Sequence, residues 1–274
     1  MLFCEASKLG AALLPDLARG KTRFKSLFSL GSIKRGAHVL VVGSGRLVTR
    51  DMDFTGFMAI EVWNSFEVRI TRSESYNVSI TADDNVFDYV EASRGQETLA
   101  IGLKRGYSYH SVTLRAKIMM PDLHGVRFSG ATRGSAEEFS SSHKLVVGLS
   151  GASSLKTADM SVGDFEATGS GASRVTGELK AGGDVRFALS GSSKAELEGT
   201  GKHLLIRASG ASIVNLSDFP VHNAEVKLSG ASHATVNLDG RLDTNLSGAS
   251  RLSYIGEPTM EDIHTSGGSR IRRA

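Results

Sequence analysis

Apolar and polar residues alternate with a period of two along most of the chain after residue 50. In the C-terminal half, the positions five, three and one before a recurring Ser-Gly phrase are mostly apolar, as in Leu145, Val147 and Leu149. A second alternating run begins five residues after the first Ser of each phrase. Period two places these side chains on one face of a β-strand, and helical spacing does not fit. The pattern therefore predicts an all-β protein.

The phrase that separates the two runs has the form Ser-Gly-Ala-Ser and recurs eight times, with its glycines 18 to 21 residues apart. Such a period is typical of repeat architectures. Twenty extended residues span at most about 65 Å, which is one circuit of a slim coil and too short for a four-stranded propeller blade. We therefore predict a β-solenoid of stacked coils, each built as strand, corner, strand and turn. The phrases occupy residues 129–132, 150–153, 170–173, 190–193, 209–212, 229–232, 247–250 and 266–269.

The phrase is interpreted as the corner of each coil. Gly suits a corner backbone that a Cβ would strain. The third residue, usually Ala, is expected to form an inward column, because only a small side chain fits inside a narrow coil. The flanking hydroxyls are expected to hydrogen-bond corner backbone groups or one another. A catalytic serine is the alternative, but no His-Asp pair recurs at a fixed offset to activate one.

Three segments are predicted. Residues 1–45 form a basic N-terminal arm that is partly helical or disordered. Residues 46–128 lack the phrase but alternate as strands, and we expect an antiparallel-type β-region that caps the solenoid, since solenoids need atypical ends. Residues 129–274 form the repeat solenoid.

Charge is unevenly distributed along the chain. Residues 1–50 carry nine basic and two acidic side chains, a net charge of +7, which leaves −4 for the remainder of a chain whose total is +3. The sequence pI near 9 therefore reflects the arm. No basic stripe is interleaved with aromatic residues, so we predict no nucleic-acid partner. No apolar run approaches the roughly 20 residues of a transmembrane helix.

Few residues indicate a cofactor or metal site. Cys4 is the only cysteine, which excludes an intramolecular disulfide and a cysteine-based metal site. Gly43-x-Gly45 lacks the third glycine and the helix of a dinucleotide-binding motif. The acidic turn at 83–88 can attract Ca²⁺, but its register lacks the Gly and Glu of an EF-hand loop, so a solvated turn is favoured. We predict no cofactor and no metal site.

The repeated phrase, the strands of residues 57–80 and a closing Tyr254-Ile255-Gly256-Glu257-Pro258 together resemble bacterial auto-transporter adhesins that carry a head GIN domain. The likeness extends over about residues 45–272. It implies a right-handed parallel β-helix-like fold that is presented at the cell envelope or outside the cell, with no enzyme activity to carry over. The chain departs from the family in lacking a clear signal peptide, so a cytoplasmic location stays open.

The residue after each phrase supplies the candidate binding surface. Stacked coils would place these residues about 4.8 Å apart in a partly basic stripe, which suits an acidic glycan or another protein surface. The alternative is a solvated face whose charges discourage sheet aggregation. An acidic column is expected four residues before each phrase, at Glu166, Glu225, Asp243 and Asp262, interrupted by Arg186. After Ser154, the stripe comprises Arg174, Lys194, Ile213, His233, Arg251 and Arg270.

Three functions are compatible with this chain. The favoured one is a non-catalytic, adhesin-like binding or structural module without catalytic residues. A polysaccharide-acting β-helix enzyme is an alternative, but it needs clustered carboxylates and the acids scatter singly through the turns. A self-assembling scaffold is the other alternative, because solenoid ends leave open β-edges, and a homo-oligomer would follow.

Overall fold

A computed structural model describes residues 39–274. The arm predicted for residues 1–45 therefore lies almost wholly outside the described residues. Within them, strands predominate, the single helical element is a 3₁₀ turn at Phe87–Tyr89, and no α-helix is present. Two large sheets face each other, and a separate parallel pair joins β1 (Val39–Val42) to β8 (Tyr107–His110).

The first sheet, called sheet I, has eleven strands among residues 39–274. In spatial order they are β6 (Val90–Gly95), β7 (Thr98–Leu103), β3 (Ala59–Val62), β10 (Gly125–Phe128), β12 (Leu145–Leu149), β14 (Phe165–Gly169), β16 (Asp184–Leu189), β18 (His203–Ala208), β20 (Asn223–Leu228), β22 (Arg241–Leu246) and β24 (Thr259–Thr265).

The second sheet, called sheet II, has twelve strands within the same part of the chain. In spatial order they are β2 (Leu47–Met52), β5 (Asn77–Asp83), β9 (Leu114–Met120), β4 (Glu67–Arg72), β11 (Arg133–Glu137), β13 (Ser154–Val162), β15 (Arg174–Ala181), β17 (Lys194–Thr200), β19 (Ile213–Val221), β21 (His233–Leu238), β23 (Arg251–Ile255) and β25 (Arg270–Arg273).

Each coil runs from a strand of sheet I through the phrase to a strand of sheet II and back through a turn. From β10 onward every strand pairs in parallel with its equivalent in the next coil, as β12 does with β14 and β13 with β15. The predicted all-β solenoid of coils of about 20 residues is confirmed. Two register shifts interrupt the ladders of sheet II, after Thr157 and after Leu216.

The parallel ladders continue into the phrase-free N-terminal region. The coil of β3 and β4 lies between the coil of β10 and β11 and that of β7 and β9, so chain order and spatial order differ there. Antiparallel strands β2, β5 and β6 lie at this end of the two sheets. Both sheets run past residue 128 without a break.

The core lies between the two sheets. Alternate side chains of each strand are buried, for example Leu145, Val147 and Leu149, and large buried phenylalanines fill successive coils. Phe165 and Phe187 pack edge to face, with ring centroids 5.9 Å apart. Since burying a large apolar side chain contributes about 1.5–3 kcal/mol, this continuous core is the main source of stability.

The expected inward column of third phrase residues is wrong. Ala131 is half-buried and the other third residues, such as Ala152 and Ala231, are exposed, whereas the fourth residue is buried in the first seven phrases. The reason lies in the preceding Gly, whose left-handed φ of +68° to +77° makes the corner so tight that the third residue lies on its outer side. The buried fourth residues are Thr132, Ser153, Ser173, Ser193, Ser212, Ser232 and Ser250.

The predicted roles of the Gly and of the hydroxyls are confirmed. A Cβ on Gly151 would lie 2.4 Å from the carbonyl oxygen of Gly130 in the preceding corner. The buried hydroxyl of Ser212 donates to the carbonyl oxygen of Ser209 at 2.8 Å, and five other Ser corners and the Thr corner repeat this bond. A hydroxyl with such a partner can be buried at little cost.

Candidate functional site

The outer face of sheet II brings the predicted basic stripe together. Parallel register aligns Arg174 with Lys194 and Arg251 with Arg270, and His233 follows Ile213 in the same column. The three arginines are exposed, whereas Lys194 and His233 are half-buried. Part of the stripe's charge is neutralised, because the Lys194 ammonium lies 2.6 Å from a carboxylate oxygen of Glu196.

The same column extends beyond the predicted stripe toward the N-terminal end. Arg133 aligns with Ser154 on one side and Glu67 on the other, and Arg115 follows Glu67. The rule that found Arg174 also applies to Arg133, which follows the first phrase. It could not find Arg115, because the phrase-free coils stack out of chain order.

A neighbouring outward column carries further cations. Lys117 aligns with Arg69, Arg69 with Ser135, and Ser135 with Lys156. Together the two columns form a surface that we call the basic face. Its cations are Arg69, Arg115, Lys117, Arg133, Lys156, Arg174, Lys194, Arg251 and Arg270, and His233 lies in the same column as Arg251.

A shallow groove of about 670 Å³ crosses the N-terminal part of the basic face. Five cations and two carboxylates line it. The guanidinium of Arg69 lies 2.9 Å from Glu137, and that of Arg115 lies 3.2 Å from Glu67. Hydrogen bonds from Arg69 and Ser135 lower the pKa of the Glu137 carboxyl, which is therefore ionised at neutral pH. The lining residues that carry charge are Arg69, Arg115, Lys117, Arg133, Lys156, Glu67 and Glu137.

The other three groove cations have no ion-pair partner among residues 39–274. Within residues 39–274, the side chains of Lys117 and Arg133 form no hydrogen bond or ion pair, and Lys156 interacts with Glu137 only through the longer-range field of its charge. The groove thus presents a net positive potential next to solvent.

The outer face of sheet I has the expected acidic column, but its charges are largely compensated. Glu166, Arg186, Leu205, Glu225 and Asp243 align in successive coils. The backbone N–H of Asp262 reaches Asp243. Glu166 pairs with Lys144, Glu225 with Lys227, and Asp243 with Arg241. The outer face of sheet I is therefore mixed in charge, whereas the basic face of sheet II carries an excess of positive charge.

A second cluster of polar side chains lies on the edge of the solenoid opposite the phrase corners. Asp122 and His124 belong to the turn before β10, and Ser141 and His143 to the loop before β12. Oδ2 of Asp122 lies 2.9 Å from Nε2 of His124 and 3.0 Å from Nδ1 of His143. The two imidazole centroids are 4.5 Å apart. We call these four residues the histidine cluster.

The histidine cluster is not a Ser-His-Asp catalytic triad. Such a triad needs the serine on one ring nitrogen and the aspartate on the other. Here the same atom, Nδ1 of His143, faces both Ser141 Oγ and Asp122 Oδ2, each at 3.0 Å.

The carboxylate of the histidine cluster is held as an anion. Burial raises the pKa of Asp122, but hydrogen bonds from His124, the Leu123 amide and Ser141, together with the charge of His124, outweigh it. The pKa therefore lies below its ordinary value.

Sequence reasoning overlooked the histidine cluster, although a signal was present. Asp122-Leu-His124 and Ser141-Ser-His143 are 19 residues apart, which is one coil. Aligning polar residues that lie one coil apart would have placed these two motifs next to each other. The prediction of no metal site rested on the single cysteine and on the acidic turn at 83–88, and did not consider the histidines.

The acidic turn at 83–88 has a structural role at its first residue. Asp83 is buried rather than solvated, and its two carboxylate oxygens accept the backbone N–H groups of Gly45 and Thr113, each at 2.7 Å. Asp84 accepts a hydrogen bond from Ser44. These carboxylates fasten the segment around residue 44 to the end of β5.

The fold and its charged long face define a class: a two-sheeted β-solenoid that displays aligned side chains. A family model described as "Putative auto-transporter adhesin, head GIN domain" matches residues 56–258. This chain belongs to that family. No curated protein matches it.

Solved structures share the fold. A putative lipid binding protein from Parabacteroides distasonis matches with a TM-score of 0.79 and 18% identity, covering 86% of this chain and 99% of that one. A putative adhesin from Parabacteroides merdae gives 0.79 and 20%, with the same coverage. One from Bacteroides fragilis gives 0.68 and 18%, covering 85% and 100%. At these identities the likeness shows the fold alone.

Residues 39–274 contain no helix with the length and hydropathy of a membrane-spanning segment.

Proposed function

We propose that this protein is a non-catalytic binding module, displayed at the cell envelope or outside the cell, whose basic face holds an acidic glycan. The observation that carries the proposal is the groove on sheet II, where Lys117, Arg133 and Lys156 have no short-range anionic partner among the described residues. Membership in the adhesin head-domain family supports the same class of function and the same location.

The spacing of the cations favours a polymer over a small anion. Equivalent residues of neighbouring coils lie about 4.8 Å apart, so a chain with regularly spaced acidic groups can meet several cations at once. Each exposed contact contributes little alone. A row of them can add up through multivalency.

The predicted stripe of Arg174, Lys194, His233, Arg251 and Arg270 is the weaker half of this face. Ile213 interrupts it and Glu196 neutralises Lys194. We therefore place the strongest contacts in the groove and assign the stripe a supporting role.

Binding of the full chain to acidic and neutral bacterial glycans at two salt concentrations tests the proposal. We expect saturable binding to acidic glycans that weakens with salt, because the screening length falls from about 10 Å at 0.1 M to about 3 Å at 1 M. The groove triple variant, Lys117→Ala, Arg133→Ala and Lys156→Ala, should bind at least tenfold more weakly, equivalent to about 1.4 kcal/mol.

Two matched triples separate the surfaces. Arg174→Ala, Lys194→Ala and Arg251→Ala should weaken binding less than the groove triple does. Lys202→Ala, Arg207→Ala and Lys227→Ala remove the same charge from the side of sheet I and should leave binding unchanged. Equal losses in all three triples, or binding to anionic vesicles but to no glycan, would contradict the proposal.

The possible homo-oligomer predicted from the sequence is part of the same proposal, since several copies on one polymer would increase avidity. Light scattering on the full chain measures it directly.

A further inference from the structure

The histidine cluster combines residue types that bind metal ions. One oxygen or nitrogen from each of Asp122, His124 and His143 lies within 4.8 Å of the others. The side chains come from two loops of successive coils, so the parallel stacking of β10 on β12 brings them together.

The distances between these atoms suit a transition metal. Tetrahedral zinc has bonds of about 2.0–2.1 Å to imidazole nitrogen and carboxylate oxygen, which separates neighbouring ligand atoms by about 3.4 Å. The two imidazole nitrogens lie 2.9 and 3.0 Å from Asp122 Oδ2. Small rotations of the side chains would therefore open the required space, and the His143 side chain, 61% exposed, is free to make one.

The carboxylate is already oriented for this role. Oδ1 of Asp122 accepts the backbone N–H of Leu123 at 2.9 Å, which leaves Oδ2 directed at the imidazoles. Ser141 Oγ lies 3.4 Å from Oδ2 and accepts the backbone N–H of His143 at 3.1 Å. Outer contacts of this kind fix the ligands of metal sites.

We propose that Asp122, His124 and His143 bind one divalent transition-metal ion, with zinc as the best match to the donor set. Two imidazoles and one carboxylate suit zinc, whereas Ca²⁺ and Mg²⁺ prefer sites made of oxygen ligands. Three protein ligands leave a fourth position for water.

The bound ion would join two loops at the entrance to the repeat region. The turn at 121–124 closes the last phrase-free connection, and the loop at 138–144 follows the first phrase-bearing coil. A metal ion that binds only the folded state stabilises it by mass action. The inferred role is therefore to fasten these two loops.

Zinc titration of the full, chelator-treated chain tests this site. Calorimetry should detect one site in the wild-type chain that His143→Ala and Asp122→Asn each weaken by at least tenfold. Ser141→Ala, which removes an outer contact, should weaken it by about tenfold or less. Cobalt as a probe should give the visible absorption of a low-symmetry site in the wild-type chain and lose it in His143→Ala.

His222→Ala is the matched control. Nδ1 of His222 lies 2.9 Å from Asp239, so this pair also joins an imidazole to a carboxylate on the same edge of the solenoid, and it belongs to no three-ligand group among the described residues. Its zinc affinity and its thermal shift with zinc should match those of the wild-type chain.

Three results would overturn the proposal: no stoichiometric zinc binding, unchanged affinity in both His143→Ala and Asp122→Asn, or equal affinity for Ca²⁺. Circular dichroism shows whether each variant is folded. Because His143 is largely exposed, its replacement gives a clear answer even if Asp122→Asn does not fold.

Discussion

The solenoid has two edges at which the chain passes between the sheets, and they differ in regularity. At the phrase edge, the eight glycines share φ values of +68° to +77°, and the same hydroxyl-to-carbonyl bond recurs from corner to corner. At the opposite edge, the turns vary, two bulges interrupt sheet II close by, and the histidine cluster and the His222–Asp239 pair occur there.

The regularity of the phrase edge has a physical cause. Each interior corner contacts equivalent corners above and below, as when Ala152 N–H donates to the Gly130 carbonyl at 2.8 Å and Ala172 N–H to that of Gly151 at 2.7 Å. A change in one corner therefore disturbs its neighbours. The turns at the opposite edge also stack, as when the Gly183 N–H donates to the Gly163 carbonyl at 2.8 Å, but their sequences differ from coil to coil. The phrase therefore repeats at the edge where substitutions are tolerated least, and the histidine cluster lies at the edge where the sequence varies.

The largest expected effect comes from a Cβ in the middle of the phrase edge. In Gly191→Ala, the new atom would lie 2.6 Å from the Gly171 carbonyl oxygen at a φ of +72°. We expect a loss of about 3 kcal/mol in the free energy of unfolding, measured with urea, because backbone strain and a steric clash add.

Gly45→Ala is the control for that substitution. Gly45 has a similar φ of +79°, but a Cβ added there would have no atom within 4 Å beyond its own chain neighbours. The variant should lose only the strain, about 1–2 kcal/mol. Equal losses at the two positions would mean that corner stacking contributes little.

A smaller effect is expected from a buried corner hydroxyl. Ser212→Ala removes the hydrogen bond to the Ser209 carbonyl and should reduce the free energy of unfolding by about 1 kcal/mol. Near the opposite edge, Ser217→Ala removes only a contact with the exposed side chain of Asp218 and should change it by less than about 0.5 kcal/mol. A larger loss in Ser217→Ala than in Ser212→Ala would contradict the proposed difference between the two edges.

The smallest expected effect is an increase in the free energy of unfolding, from a substitution in the core between the two edges. Oγ1 of Thr244 is buried and has no hydrogen-bond partner among the described residues. Thr244→Val keeps the shape and removes the unsatisfied hydroxyl, so the free energy of unfolding should rise by up to about 1 kcal/mol. Thr235→Val, at a half-buried outward position in the neighbouring sheet, serves as the control and should have little effect.

The N-terminal coils show why part of the fold escaped prediction. The segment 63–66 lies beneath the first phrase, since the Ser129 N–H donates to the Val62 carbonyl and the Arg133 N–H to that of Phe66. Asn64 and Ser65 supply the left-handed φ values of that corner, +69° and +61°, and Phe66 takes the place of the buried serine. One geometry is thus built from different residues, and a search for the phrase cannot find it.

The sequence by itself determined the strand pattern, the coil period, the corner glycines and the vertical alignment of Arg174, Lys194 and Arg251. These follow from local periodicity, because parallel coils of nearly equal length must stack equivalent positions. Only the tertiary structure decided which phrase residue faces inward, that Arg69, Arg115 and Lys117 join Arg133 on one face, and that Asp122 meets two histidines. Those facts depend on the exact hand of a corner and on coils that stack out of chain order, and no local pattern encodes either.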